Sequence, residues 1–127
     1  MYRKIIIMCV TLAILAILSA VEQIAVRRIT DEALSNTKTI IADIRGKQLL
    51  QAAQKAKALD EQWDRRARWL EMMVDHGSTD DVRYAFSRLI AALEEEDSAT
   101  AMVYACELEG SIEHVYERQA LTAENIL

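Results

Sequence analysis

The chain has 127 residues, with 20 acidic and 15 basic side chains, two cysteines, three glycines and no proline. This length allows one domain, and a hydrophobic fraction of 52% is too high for a disordered chain. Two cysteines form no disulfide framework, the few glycines and prolines leave little turn material for a β-sandwich or barrel, and a net charge of −5 argues against a general nucleic-acid binder.

The N-terminal segment is predicted to be a membrane anchor. A basic tail at residues 1–4 precedes an uncharged run from Ile5 to Val21. As a helix this run is about 26 Å long, at the low end for a membrane span. We expect an uncleaved signal anchor that contacts membrane lipid. Two alternatives remain open, a signal peptide cleaved after Ala20 and a buried helix of a soluble protein.

The charges that flank this run favour a cytoplasmic N-terminus. Arg3 and Lys4 precede the run together with the positive amino terminus, whereas Arg27 and Arg28 follow it among acidic residues. Lysine and arginine alone are equally frequent on the two sides, so the prediction rests on the short basic tail. Residues 22–127 are then an extracytoplasmic helical domain at the cell membrane.

The remaining sequence has helical periodicity. Thr30 is a candidate start for a long helix, in which Gly46 is a point of kinking; the alternative is that this helix runs on from the membrane span. From Leu49 to Val74 apolar residues recur at steps of three and four, as on one face of a helix. A turn at 76–78 precedes a second helix capped by Ser78 or Thr79, and a turn at 94–97 precedes a third. The apolar stripes of these two helices are Val82, Phe86, Leu89 and Leu93, and Ala101, Ala105, Leu108, Ile112 and Val115.

These patterns predict an all-α protein, with an N-terminal transmembrane helix followed by an antiparallel three-helix bundle. The bundle has one long helix and a C-terminal helical hairpin. We detect no internal sequence repeat. The tail from Leu121 to Leu127 is expected to fold back onto the bundle.

Charge is unevenly distributed along the predicted domain. Residues 45–68 have a net charge of +4, whereas residues 69–127 have a net charge of −10. We expect the basic face of the long helix to pair with the acidic hairpin. The alternative is that a set of five basic residues meets anionic lipid or an acidic partner, namely Lys55, Lys57, Arg65, Arg66 and Arg68. Exposed ion pairs contribute only about 0–1 kcal/mol each, so stability does not separate the two interpretations.

The sequence contains no motif that indicates catalysis. HExxH, CxxC, GxSxG and a phosphate-binding glycine loop are all missing, which predicts no enzyme, no cofactor and no metal site. His76 follows Asp75 at a predicted helix end, where a turn-capping role and a recognition role both fit. Trp69 lies six residues after Trp63 and off its helical face, as expected for packing at the flank or for partner binding.

Several of these features together resemble a known family. The basic tail and single span are followed by Trp63 and Trp69, Asp75-His76, a hairpin with Leu89 and Leu108, His114 and the terminal Asn125-Ile126-Leu127. Over essentially its whole length the chain is similar to domain-of-unknown-function (DUF) family 4363, small membrane-anchored proteins of spore-forming Gram-positive bacteria. Gly77-Ser78-Thr79 departs from the more glutamate-rich segment usual in that family. The resemblance implies no catalytic residues and hints at a membrane partner.

The predicted function is that of a non-enzymatic protein-interaction or accessory subunit at the cell membrane. Its partner is a membrane protein or a second copy of the chain, and not a nucleic acid. The alternative is an extracytoplasmic helical bundle that senses a ligand or an ion. The candidate interaction residues are Trp69, Asp75, His76, Arg65, Arg66 and Arg68.

Overall fold

The computed structural model describes the backbone of residues 1–72 and 76–126, and the side chains of residues 1–72 and 77–118. Within these residues the chain forms four helices and no strand. They are α1 (Tyr2–Arg45), α2 (Leu49–Leu70), α3 (His76–Glu94) and α4 (Ser98–Ile126). The predicted all-α architecture, a long apolar N-terminal helix followed by a helical bundle, is confirmed.

Helix α1 has an exposed apolar part and a bundle part, with no break between them. Its most apolar 18-residue window has a mean hydropathy of 2.6 and none of it is buried, so it is long and apolar enough to cross a membrane. A signal sequence near an N-terminus has the same properties. From Val26 onward one side of the helix is buried. Of the two predicted possibilities, the helix runs on from the apolar segment and does not begin at Thr30, because Thr30 lies inside α1 and its hydroxyl donates to the Val26 carbonyl at 3.0 Å.

The bundle consists of the second part of α1 together with α2, α3 and α4. Each helix packs against the helices before and after it in the chain, and α4 packs back against α1. This is an up-down-up-down arrangement. The core inside it contains every described residue of the predicted stripes except Leu49, which is partly buried. The bundle therefore has four helices, where the sequence predicted three.

The additional helix arises because the chain reverses at Gly46 instead of kinking. The Lys47 N–H donates to Ile44 and the Gln48 N–H donates to Asp43, at 3.1 and 2.8 Å. These two bonds form a Schellman motif, which ends a helix with a residue in the left-handed conformation. That residue is Lys47, at φ 59°, whereas Gly46 has an ordinary φ of −78°.

The turn between α3 and α4 repeats this geometry 49 positions later. Glu96 has φ 57°, and the N–H groups of Glu96 and Asp97 donate to Leu93 and Ala92 at 3.1 and 3.0 Å. The same offset relates buried residues of the two hairpins. These pairs are Thr30/Thr79, Ala33/Val82, Thr37/Phe86, Ile40/Leu89, Ile44/Leu93, Ala52/Ala101, Ala56/Ala105, Leu59/Leu108 and Trp63/Ile112. The two hairpins therefore share a pattern of buried positions, although the residue types at these positions agree only in part.

The caps of the second hairpin agree only partly with the sequence prediction. Asp97 is the cap of α4, because its carboxylate accepts bonds from the Thr100 hydroxyl and N–H at 2.7 and 3.1 Å. These bonds lower the pKa of Asp97. By contrast, Ser78 and Thr79 are not caps, since α3 begins at His76 and both side chains are buried. The tail does not fold back, because α4 continues as a helix to Ile126.

Candidate functional site

A groove lies where the exposed part of α1 meets the bundle. It has a volume of about 420 Å³. Its lining is mainly apolar and comprises Val21, Ile24, Ala25, Arg28, Ile29 and Trp69. The groove therefore begins at the last residue of the uncharged run and extends two helical turns into the domain.

The helical period explains how α1 contributes to this groove. Its five lining residues follow the spacing i, i+3, i+4, i+7 and i+8, which places them on one side of a helix. The core residues of α1 begin at Val26 and lie on a neighbouring side. The bundle leaves Ile24 69% exposed and Val21 57% exposed. This side of α1 is thus an apolar surface that α2 covers only partly.

Trp69 closes the groove from the last turn of α2. It is partly buried against the core, whereas Trp63 is 2% exposed inside the core. Positions 63 and 69 differ by about 240° around a helix, which separates the two indoles as the sequence predicted. Trp69 therefore packs at the flank of the bundle, beside the exposed part of α1.

The three candidate arginines of α2 differ in their surroundings. Arg66 Nη1 lies 2.9 Å from Glu32 Oε2 of α1 and holds the pKa of that carboxyl below its usual range. Arg65 borders a second, more polar groove between α1 and α2, of about 390 Å³. Arg68 is exposed on the last turn of α2. Among the described residues, neither Arg65 nor Arg68 has an ion-pair partner.

The other two candidates lie at the start of α3. Asp75 lies outside the described residues. His76 is the first residue of α3, and its side chain lies outside the described part of the chain. The proposed role of this pair in recognition stays a prediction.

The basic segment pairs mainly with α1 and less with the acidic hairpin. Lys55 Nζ lies 2.6 Å from Asp43 Oδ2 in α1, and Arg66 also pairs with α1. Lys57 pairs with Glu94 of the hairpin at 2.9 Å, and the acidic Asp64 of the same segment pairs with Arg83 of α3 at 3.5 Å. The physical reason is the extra turn at Gly46, which brings the acidic residues of α1 beside α2.

The acidic turn at 94–97 is used by the fold. Glu94 pairs with Lys57 and Asp97 caps α4, so two of its four acids have structural partners. Within the described residues, no group of three or more metal-ligating side chains converges.

Asp60 of α2 has a different environment, since burial raises its pKa and the neighbouring Asp64 carboxylate adds to the effect.

Sequence reasoning identified Trp69 but missed its partners in the groove. The available signal was the second stripe of α1, which continues the uncharged run at positions 24, 25, 28 and 29. This stripe was hidden because Arg28 interrupts it and because Thr30 resembled a helix start.

Comparison with known proteins gives one family match. The family model described as Domain of unknown function (DUF4363) matches residues 21–126, which include the groove and all four bundle helices. No curated protein and no solved structure matches the chain. With most of its length matched, the chain belongs to the DUF4363 family.

Proposed function

We propose that this protein is a non-enzymatic accessory subunit held at the cell membrane by Ile5 to Val21. Its helical domain, residues 22–127, lies outside the cytoplasm and binds a membrane protein. The envelope is that of a spore-forming Gram-positive bacterium, as the family resemblance implies. The proposal involves no cofactor and no nucleic acid.

The observation that carries the proposal is the continuity of α1. The first buried residue of the bundle, Val26, follows Val21 by five residues, or about 7 Å of helix. The described backbone has no linker between the exposed apolar part and the bundle. An anchor built in this way holds the bundle directly against the membrane surface, where the exposed Arg65 and Arg68 face neighbouring proteins.

The predicted orientation is tested with the two free cysteines. Cys106 is exposed on α4, and Cys9 lies in the apolar part of α1. A membrane-impermeant maleimide added to intact cells is expected to label the wild type but not Cys106→Ser. Labelling that requires permeabilised cells would show the opposite orientation. An intact mass that begins at Val21 would show a cleaved signal peptide.

The partner is tested by crosslinking the tagged full-length protein in native membranes and identifying its neighbours by mass spectrometry. We expect a stoichiometric membrane protein, and reduced recovery of it from a variant with Arg65→Gln and Arg68→Gln. The matched control is Arg45→Gln, an exposed arginine at the opposite end of the bundle. Recovery of this chain alone would contradict an accessory role and favour self-association.

A further inference from the structure

We infer that the groove at the base of the bundle binds the headgroup region of an anionic phospholipid from the surrounding leaflet. Trp69 and Arg28 are the residues that contact it. This inference rests on the proposed anchoring and adds a lipid site to it. It assigns Trp69 to lipid and leaves the protein partner to other surfaces of the bundle.

The position of the groove along α1 matches the headgroup layer. When Val21 ends the hydrocarbon-spanning run, Ile24 and Ala25 lie about 5–6 Å further along the helix, since each residue adds about 1.5 Å. The headgroup layer of one leaflet is about 5–7 Å thick. The exposed apolar side chains that follow the run are therefore at the depth of the glycerol and headgroup atoms.

The residue types at this depth are those that favour a membrane interface. Tryptophan is enriched there because its ring is apolar and its N–H is polar. Arg28 is exposed at the edge of the groove, and Cα–Cβ bonds in a helix tilt toward its N-terminus, which for α1 is toward the membrane. The Cα of Arg28 lies about 10 Å beyond Val21, and a long side chain that starts toward the membrane can bring the guanidinium back to the level of the lipid phosphates.

Arg28 is the one charged residue among the described residues that line the groove. Asp31 lies 3.8 Å from Arg27, and Glu32 lies 2.9 Å from Arg66. Arg28 has no ion-pair partner within 4 Å among the described residues, although its charge, like that of Arg66, helps to lower the pKa of Glu32.

The other carboxylates toward this end of the bundle do not line the groove; they include Asp80, Asp81, Glu113 and Glu117. Glu71, just after α2, forms an ion pair with Arg83, with Oε1 3.8 Å from Nη2. Glu22 is about 120° away from Arg28 around α1, but only about 20° away from Ile29, and so lies near the edge of the groove. Arg28 matches a phosphate anion, and the apolar lining beside it matches the upper part of an acyl chain.

The test reconstitutes the full-length protein into vesicles of phosphatidylcholine and phosphatidylglycerol, with bromine on the acyl chains of one lipid at a time. Bromine quenches tryptophan on contact. We expect brominated lipid to quench the wild type and to leave Trp69→Phe almost unquenched, because Trp63 is enclosed in the core. We expect phosphatidylglycerol to be preferred at this site by about fivefold per arginine, and Arg28→Gln to reduce the preference. The matched control is Arg45→Gln at the far end of the bundle, and we expect this variant to keep the preference for phosphatidylglycerol.

The outcomes separate the lipid site from the anchor. Quenching that is equal in the wild type and Trp69→Phe, in vesicles that carry the protein on flotation, would overturn the lipid site and leave the anchor intact. Quenching of Trp69 without a preference for phosphatidylglycerol would overturn the assignment to an anionic lipid. Protein that fails to float with the vesicles would overturn both the anchor and the lipid site.

Discussion

Replacement of Trp63 tests the packing of the bundle core. Trp63 is the largest of the fully buried side chains, and its Nε1 has no hydrogen-bond partner among the described residues. Trp63→Ala leaves a cavity and is expected to reduce the free energy of unfolding by about 3–5 kcal/mol. Trp63→Phe removes two ring carbons, worth about 1.6 kcal/mol at about 0.8 kcal/mol each. It also removes an unsatisfied N–H, which costs about 1–3 kcal/mol when buried. The two effects nearly cancel, so Trp63→Phe is expected within about 1 kcal/mol of the wild type.

The assay is urea unfolding of the full-length protein in detergent micelles, followed by far-UV circular dichroism. Tyr84→Ala is the control, because Tyr84 is an aromatic residue that is 60% exposed, and we expect it to change stability by less than about 0.5 kcal/mol. A Trp63→Phe variant as unstable as Trp63→Ala would refute the reasoning. It would show that the indole N–H is satisfied and that the full ring volume is required.

Three further predictions concern the turn, an acid and the helix contacts. Glu96→Gly is expected to raise stability by about 0.5–1 kcal/mol, since the left-handed conformation costs other residues about 1–2 kcal/mol and glycine loses part of this gain to entropy; a lower midpoint in urea would contradict it. Asp60→Asn is expected to raise the melting temperature at neutral pH, because burial raises the pKa of Asp60 in the folded state. Ionisation of Asp60 therefore destabilises the folded state at neutral pH, and this destabilisation disappears as the pH falls below the ordinary pKa of 3.8. A gain in melting temperature that persists in acid would contradict this cause. Ala56→Leu and Ala105→Leu occupy repeat-related positions and are each expected to cost about 1–3 kcal/mol in a urea titration, while the exposed Ala58→Leu costs less than about 0.5 kcal/mol; unequal effects in the pair would argue against equivalent packing.

Apolar periodicity predicted most of the core correctly. The stripes of α3 and α4 are buried throughout, and Trp63 lies on the buried side of α2. The missing core residues are mostly in α1, where Thr30 and Thr37 are fully buried. The Thr37 hydroxyl donates to the Ala33 carbonyl at 2.8 Å, so only its methyl group needs an apolar environment. A pattern based on apolar residue types does not detect a threonine whose hydroxyl is satisfied by its own helix.

The sequence predicted the residue types of the candidate site but not which residues lie together in it. The sequence marked Trp69 and the arginines near the end of α2, yet it assigned them to a single long helix with no α1 beside it. With that topology Arg66 has no reason to pair with Glu32, and Trp69 has no reason to contact Ile29. The pairing follows from the reversal at Gly46, which places α1 and α2 side by side.

The sequence by itself determined the helical class, the exposed apolar segment and the buried faces, because these depend on composition and on a period of 3.6 residues along one helix. Only the tertiary structure decided that a left-handed Lys47 reverses the chain after α1 and that a groove forms at the base. It also decided that the two hairpins have buried positions at an offset of 49 residues. These properties depend on one left-handed residue and on contacts between helices. A single residue of that kind has only a weak local sequence signal, whereas its effect on packing extends over the whole bundle.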